Sequence, residues 1–301
     1  MPLHGLIAAV HSPFHADGEL ALEAVEAQCG VLLRQGLSGI FVCGSTGESH
    51  SLTTDERCQL TERWAQVLTA TPLQLIVHVG SNCLRDSQTL AAHAQKMKAV
   101  AVSAQAPSYF KPKSVADLVA WCESIASSAP AIPFYFYDIP VMTGVALSMP
   151  DLLNAVSERI PNFAGLKFTN TDLMSFQLCQ RACDGRFDIA FGVDEMLLAA
   201  VCLGARGAVG SSYNFAGQIY RRIIAAFESG DLNAAREEQF RSVRMIQMLA
   251  SVGYMGAARS VMEMLGAPIG PPRLPNHRLD DAAKAALKTR LQEMGFFEWI
   301  R

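Results

Sequence analysis

The chain has 301 residues, of which 50% are hydrophobic and 18% are charged, so it can bury a sizeable core. The 25 basic and 28 acidic residues leave a net charge of −3, which excludes the basic footprint of a nucleic-acid-binding protein. The longest apolar run, residues 196–205, is shorter than the roughly 20 residues of a membrane span, and the N-terminus lacks a signal peptide's basic region. We therefore expect a cytoplasmic protein without nucleic-acid or membrane partners.

Eight cysteines are spread along the chain without a Cys-x-x-Cys pair, which favours reduced thiols over a disulfide scaffold. Cys179 and Cys183 lie one helical turn apart, but no second pair of candidate ligands accompanies them. The histidines form no metal-ligand pattern either. The sequence therefore predicts no metal site.

Short apolar runs alternate with helix-length stretches along most of the chain. The runs are continuous rather than alternating, which is typical of strands buried on both faces. Eight strands are predicted, at 5–11, 39–43, 75–79, 100–103, 133–137, 165–168, 188–191 and 207–209. Helices are predicted between most of them, at 20–35, 54–69, 86–97, 115–128, 149–158 and 172–182.

Repeated βα units predict a parallel sheet, and eight of them predict a closed (β/α)8 TIM barrel. An open doubly wound sheet is the alternative, but no Gly-x-Gly-x-x-Gly segment follows the first strand. Beyond about residue 215 the strand signals stop and only helical patterns remain. We therefore predict a barrel that carries the active site over residues 1–215 and a helical extension over residues 216–301.

The ends of the fifth and sixth strands carry the most informative side chains. Lys167 stands in an apolar strand, where it is either a salt-bridged structural residue or a nucleophile whose pKa is lowered by desolvation. Tyr137 lies one βα unit earlier, so the two side chains can point into the barrel at a similar height, where a phenol can shuttle protons. Tyr135 faces the same way as Tyr137, and the spacing does not choose between them.

Two further strand ends carry polar residues with alternative explanations. Ser45 and Thr46 lie in a glycine-flanked turn whose N–H groups suit a carboxylate or phosphate, although an ordinary capped turn has the same composition. Asp194 and Glu195 suit the hydroxyls of a polyol, or they cap the short helix that follows.

Three segments together resemble a known family. Residues 44–48 (Gly-Ser-Thr-Gly-Glu), 137–140 (Tyr-Asp-Ile-Pro) and 165–169 (Gly-Leu-Lys-Phe-Thr) occur in that order on the second, fifth and sixth predicted strands. They resemble the carboxylate loop, tyrosine motif and Schiff-base motif of the pyruvate-dependent class I aldolases, the family of N-acetylneuraminate lyase and dihydrodipicolinate synthase. The resemblance extends over about residues 5–275.

Other segments favour the lyase branch of this family. Residues 191–195 and 210–214 resemble its sugar-binding segments. Met142 stands where the synthase branch carries an arginine that binds a second carboxylate. Asp138 replaces the asparagine or histidine common in lyases, and Ser108 with Tyr109 replaces a usual pair of aromatic residues.

The resemblance implies an aldolase that cleaves a sialic acid through a Schiff base to pyruvate and N-acetylmannosamine. Catalytic roles fall to Lys167, Tyr137, Ser45 and Tyr109. The resemblance places Tyr109 in a neighbouring subunit's site within a homotetramer, and a tyrosine on an exposed loop is the alternative. Ser45 also binds the substrate carboxylate with Thr46. The sugar tail is assigned to Thr169, Gly192, Asp194, Glu195 and Ser211. No organic cofactor is expected, because the imine itself withdraws electrons.

Three alternatives stay open at this point. One is another 2-keto-acid aldolase or dehydratase of the same family. Another is a catalytically silent sensor of sialic acid or pyruvate, although such a protein has no need for both Tyr137 and Lys167. The third is a phosphate-binding barrel that uses residues 207–212, where Asp194 and Glu195 would repel the anion.

Overall fold

The computed structural model describes residues 3–301 and contains a closed barrel of eight parallel strands arranged in chain order. The last strand pairs with the first through Ile7 opposite Val209, which closes the sheet. The predicted TIM barrel is therefore confirmed, and the open sheet is excluded. The strands are β1 Gly5–Ala9, β2 Gly39–Val42, β3 Gln74–His78, β4 Ala101–Gln105, β5 Phe134–Asp138, β6 Phe163–Phe168, β7 Asp188–Phe191 and β8 Gly207–Gly210.

Helices follow the strands and then continue alone to the C-terminus. They are α1 Ala24–Arg34, α2 Thr54–Leu68, α3 Leu84–Lys96, α4 Val115–Ala126, α5 Pro140–Thr143, α6 Met149–Val156, α7 Leu173–Arg181, α8 Leu197–Cys202, α9 Tyr213–Glu228, α10 Leu232–Ser251, α11 Tyr254–Met264, α12 Asp281–Glu293 and α13 Phe296–Trp299. Short 3₁₀ turns cover Ser49–Ser51, Ala182–Gly185 and Asp194–Met196.

The predicted helices are present, but several of their ends were misplaced. The first helix begins at Ala24 rather than residue 20, because Leu20 forms an isolated antiparallel bridge with Phe14. The second begins where predicted, because Thr53 and Glu56 form a capping box that satisfies two backbone N–H groups.

The apolar core has two layers. The larger lies between the strands and the surrounding helices, and the smaller lies inside the barrel. Bulky side chains of the inner layer include Ile7, Phe41, Ile76, Tyr135 and Tyr137, all with 3% exposure or less. They fill the barrel beneath the C-terminal ends of the strands, the end at which TIM barrels bind their ligands.

Only helices follow β8 in the described chain. Helix α9 packs against β1 as the eighth helix of the barrel, and α10–α13 form the extension. The division into residues 1–215 and 216–301 stays a prediction, and its boundary lies within α9, at a kink at Ala216. Across residues 3–301, no helix has both the length and the apolar character needed to traverse a bilayer.

Candidate active site

A cavity of about 1010 Å³ lies at the C-terminal ends of the strands. Every predicted sugar-binding or carboxylate-binding residue contributes to its wall, as do Tyr137 and Lys167. These residues come from loops far apart in sequence, and the closed barrel brings them together. The lining residues predicted from the sequence are Ser45, Thr46, Tyr137, Lys167, Thr169, Gly192, Asp194, Glu195 and Ser211.

Lys167 lies at the floor of this cavity and is 3% exposed. Its Nζ lies 3.9 Å from the centre of the Tyr137 ring and 4.1 Å from that of Phe41. Burial lowers the pKa of Lys167, and the neighbouring Tyr137 and Asp194 only partly oppose this shift. The structure gives Lys167 no salt bridge within the described residues, which contradicts the structural explanation and favours an amine that is readily deprotonated.

The strand register distinguishes the two tyrosines that the sequence left equivalent. Tyr137 lies directly opposite Lys167 across β5 and β6, whereas Tyr135 lies opposite Gly165, deeper in the barrel. The Tyr135 hydroxyl donates a hydrogen bond to Asp188, with an oxygen separation of 3.0 Å. Of these two tyrosines only Tyr137 borders the cavity, so it is the one of the pair that can reach a bound ligand.

The glycine-flanked turn after β2 lies next to Tyr137 in the cavity wall. The Ser45 and Tyr137 hydroxyl oxygens lie 3.4 Å apart, which places the serine within reach of the same ligand atoms. Ser12 donates its hydroxyl proton to the carbonyl oxygen of Gly47 over 2.6 Å, and this bond fixes the far side of the turn. Thr46 is 9% exposed.

Thr169 and Gly192 form one side wall. A Cβ atom added to Gly192 would overlap the Thr169 hydroxyl and would lie 3.1 Å from Thr169 Cα, so the close approach requires glycine. Thr169 Oγ1 is buried with no hydrogen-bond partner among residues 3–301. A buried hydroxyl of this kind gains most when a ligand supplies the missing bond.

Asp194 is buried at the end of β7. Its carboxylate accepts hydrogen bonds from the Ser212 hydroxyl and, over 2.9 Å, from the Ser212 N–H. Burial raises the pKa of Asp194 to about 6, although the Ser212 bonds favour the charged form. Because the Asp194 carboxylate already accepts from the Ser212 N–H, this N–H is not free to bind a phosphate, which disfavours the phosphate-site alternative.

The C-terminal extension also contributes to the cavity wall, which the sequence analysis missed. The contributing residues are Ile246, Ala250, Tyr254, Met255, Pro275 and Asn276. The Tyr254 hydroxyl lies 2.7 Å from that of Ser211. The apolar spacing of α10 and α11 is that of any core helix, so no local signal marks these residues.

Tyr109 lies outside the cavity lining. It is 78% exposed and its ring packs edge-on against Phe110, with centres 5.0 Å apart. Tyr109 and Phe110 thus form an exposed aromatic pair in the loop that follows β4. Within residues 3–301, no group of three His, Cys, Asp or Glu side chains is arranged to hold a metal ion.

The fold is thus a TIM barrel in which a buried lysine and a tyrosine lie side by side at the floor of the cavity at its catalytic end. The dihydrodipicolinate synthetase family model matches residues 2–294. The chain belongs to this family.

Several relatives are similar over almost the whole chain. The N-acetylneuraminate lyase of Sus scrofa is 39% identical over 295 residues, which cover 95% of this chain and 92% of the relative. The solved N-acetylneuraminate lyase of Aliivibrio salmonicida is 39% identical with a TM-score of 0.94, and the match covers 97% of each chain. A prophage protein of the family from E. coli K12, solved in complex with pyruvate, is 26% identical with a TM-score of 0.87 and covers 97% and 98% of the two chains.

Proposed function

We propose that this protein is a Schiff-base aldolase that cleaves N-acetylneuraminate to N-acetylmannosamine and pyruvate. The observation that carries the proposal is the buried Lys167 amine beside Tyr137, both facing one large cavity at the C-terminal end of the barrel. The relatives named N-acetylneuraminate lyase, at 39% identity over nearly their whole length, support this substrate. The relative solved with pyruvate supports the keto-acid product.

Lys167 provides the nucleophile in the proposed mechanism. The neutral amine attacks the C2 ketone of the open-chain sugar, and loss of water leaves a protonated imine. The C3–C4 bond then breaks, its electron pair flows into the imine, and Tyr137 removes the C4 hydroxyl proton through the substrate carboxylate. N-acetylmannosamine leaves as the aldehyde, the enamine is protonated at C3, and water releases pyruvate and the free amine.

The cavity walls divide the remaining work. Ser45 and Thr46 bind the substrate carboxylate through hydroxyl and backbone N–H donors. The sugar hydroxyls are assigned to the opposite wall, formed by Thr169, Gly192, Asp194, Glu195 and Ser211. A site built around several hydroxyl groups rejects shorter keto acids strongly, because its polar groups would stay unpaired.

We also propose a homotetramer in which Tyr109 reaches a neighbouring subunit's cavity. The loop after β4 exposes Tyr109 and Phe110, and helix α5 after β5 exposes Val141 and Met142 at the edge of the cavity, each between 67% and 85%. Exposed apolar side chains on neighbouring loops are typical of a protein interface. Light scattering measures the assembly directly, and Tyr109→Ala is expected to lower turnover only if Tyr109 acts across the interface.

A cytoplasmic location is proposed on the state of the thiols. All eight cysteines are unpaired in the structure, as is typical of proteins from reducing compartments. Cell fractionation tests this directly.

Reductive trapping tests the central proposal. The protein is incubated with pyruvate and borohydride, digested, and searched for a modified peptide by mass spectrometry. We expect a reduced adduct on Lys167 that is lost in Lys167→Ala, and pyruvate release from N-acetylneuraminate in a coupled assay. An unmodified lysine in folded protein would contradict the aldolase mechanism and leave the silent sensor. Trapping without sialic acid cleavage would leave another keto-acid aldolase of the family.

A further inference from the structure

We propose that Glu48 is a positioning residue that couples the C-terminal extension to the carboxylate-binding turn. The inference rests on the proposed function, because it assigns Ser45 and Thr46 to the carboxylate of the substrate. Glu48 follows these two residues in the chain and borders the cavity, but its side chain is 1% exposed and its carboxylate is paired with Arg259. Its task is therefore to hold the turn rather than to touch the substrate.

The backbone at Glu48 is held in an unfavourable conformation. Its φ angle is +56°, in the left-handed region that non-glycine residues rarely adopt. The Glu48 N–H donates to the carbonyl oxygen of Ser45 over 3.0 Å, and the Ser49 N–H donates to that of Gly44 over 3.3 Å. The conformation of Glu48 thus fixes how tightly the turn closes around Ser45.

Three donors from the C-terminal part of the chain hold the Glu48 carboxylate. Arg259 Nη2 lies 2.5 Å from Oε1. The Arg273 N–H and the Asn276 side-chain amide lie 2.9 Å and 3.2 Å from Oε2. A buried carboxylate is stable only when its charge and lone pairs are matched in this way.

Arg259 connects this carboxylate to the other side of the turn. Its guanidinium is 2% exposed and donates to the carbonyl oxygens of Ser12 over 2.7 Å and Ile269 over 3.0 Å. Ser12 in turn donates its hydroxyl to Gly47. Arg259 therefore supports the turn twice, directly through Glu48 and indirectly through Ser12.

The arrangement makes the extension part of the ligand site. Removing the charge at Glu48 leaves Arg259 buried without a counter-charge, and the left-handed residue loses the bonds that stabilise it. The N–H and hydroxyl groups of Ser45 and Thr46 then lose their fixed positions. Binding of a carboxylate should weaken, whereas attack of Lys167 on a ketone lacking a carboxylate should not change.

The experiment compares reductive trapping on Lys167 by pyruvate with that by pyruvamide, which has the same ketone but no carboxylate. Glu48→Gln keeps the side-chain shape and removes the charge. We expect the pyruvate concentration that gives half-maximal trapping to rise about tenfold, since bonds to charged groups are lost. The corresponding value for pyruvamide should stay within about twofold of the wild type.

Glu56→Gln is the matched control. Glu56 also pairs with a residue of the C-terminal segment, Arg273. The Glu56 side chain, however, is 18% exposed and Glu56 lies outside the turn. The control should leave both ketones unchanged. If Glu48→Gln does not fold, Arg259→Lys keeps the positive charge, removes the two-pronged contact and should give the same pyruvate-selective shift.

Unchanged half-saturation by pyruvate in folded Glu48→Gln, or in Arg259→Lys if it replaces that variant, would overturn the inference. An equal shift for both ketones would overturn it as well, because that pattern indicates a general structural defect. If wild-type protein forms no adduct with either ketone, the proposed function itself fails.

Discussion

Replacing Tyr137 with phenylalanine should abolish most of the turnover while leaving the fold intact. The ring fills the barrel interior beside Lys167, and the substitution preserves that ring. Only the hydroxyl is lost, and its separation of 3.4 Å from the Ser45 oxygen indicates a weak hydrogen bond. The free energy of unfolding should therefore change by less than about 1 kcal/mol.

The catalytic effect should be much larger than the effect on stability. A side chain that transfers a proton in the transition state contributes about 100- to 10,000-fold to the rate, or roughly 3–5 kcal/mol of activation free energy. We expect kcat for N-acetylneuraminate cleavage to fall by that factor. Trapping of pyruvate on Lys167 should persist, because the nucleophilic amine remains.

Tyr135→Phe is the matched comparison on the same strand. Its hydroxyl donates to Asp188, which retains the N–H of Leu3 as a second donor. Removing the bond should cost about 1–3 kcal/mol of stability with kcat within about threefold of the wild type. Coupled pyruvate assays and urea unfolding of both variants give the four values. Equal kcat for Tyr137→Phe and wild type, or an equal loss in both variants, would refute the role of Tyr137.

Three further predictions concern the cavity. Lys167→Met should raise the free energy of unfolding at pH 7, because a buried lysine with a lowered pKa favours the unfolded state. The unfolded chain keeps the lysine proton up to a pKa of about 10.4, so the stability of the wild type should rise with pH. The stability advantage of Lys167→Met should therefore be smaller in urea melts at pH 9.5 than at pH 7. A variant less stable than the wild type would contradict this. Gly192→Ala should raise KM for sialic acid about tenfold, because the added methyl group displaces the Thr169 hydroxyl. Thr169→Val removes that hydroxyl and should raise KM by a similar factor. Weaker trapping of pyruvate in either variant would argue against a role specific to the sugar. Asp194 binds its proton more tightly folded than unfolded, with a pKa of about 6 against an ordinary 3.8, so its contribution to stability falls as pH rises from about 4 to 6. In urea melts across that pH range, the free energy of unfolding should decline less steeply for Asp194→Asn than for the wild type. Parallel pH dependences of the two proteins would contradict the raised pKa of Asp194.

Local sequence was sufficient to place most elements of the barrel. Strands buried on both faces are continuous apolar runs. Strand β7 was predicted with its observed ends, because Asp188 opens the apolar run and Gly192 follows it. Helix ends were less predictable, since they depend on which side chain forms a cap. Leu20 has the spacing of a helical residue, yet its backbone pairs with Phe14 instead.

By itself, the sequence determined the eightfold alternation, the position of Lys167 in an apolar strand and the segments that carry the candidate site. These depend on local composition, which is present before the chain folds. The choice between Tyr135 and Tyr137 depended on the register of β5 against β6, and the contribution of α10 and α11 depended on how those helices pack over the barrel. Only the tertiary structure decided both, because they are contacts between residues far apart in the chain.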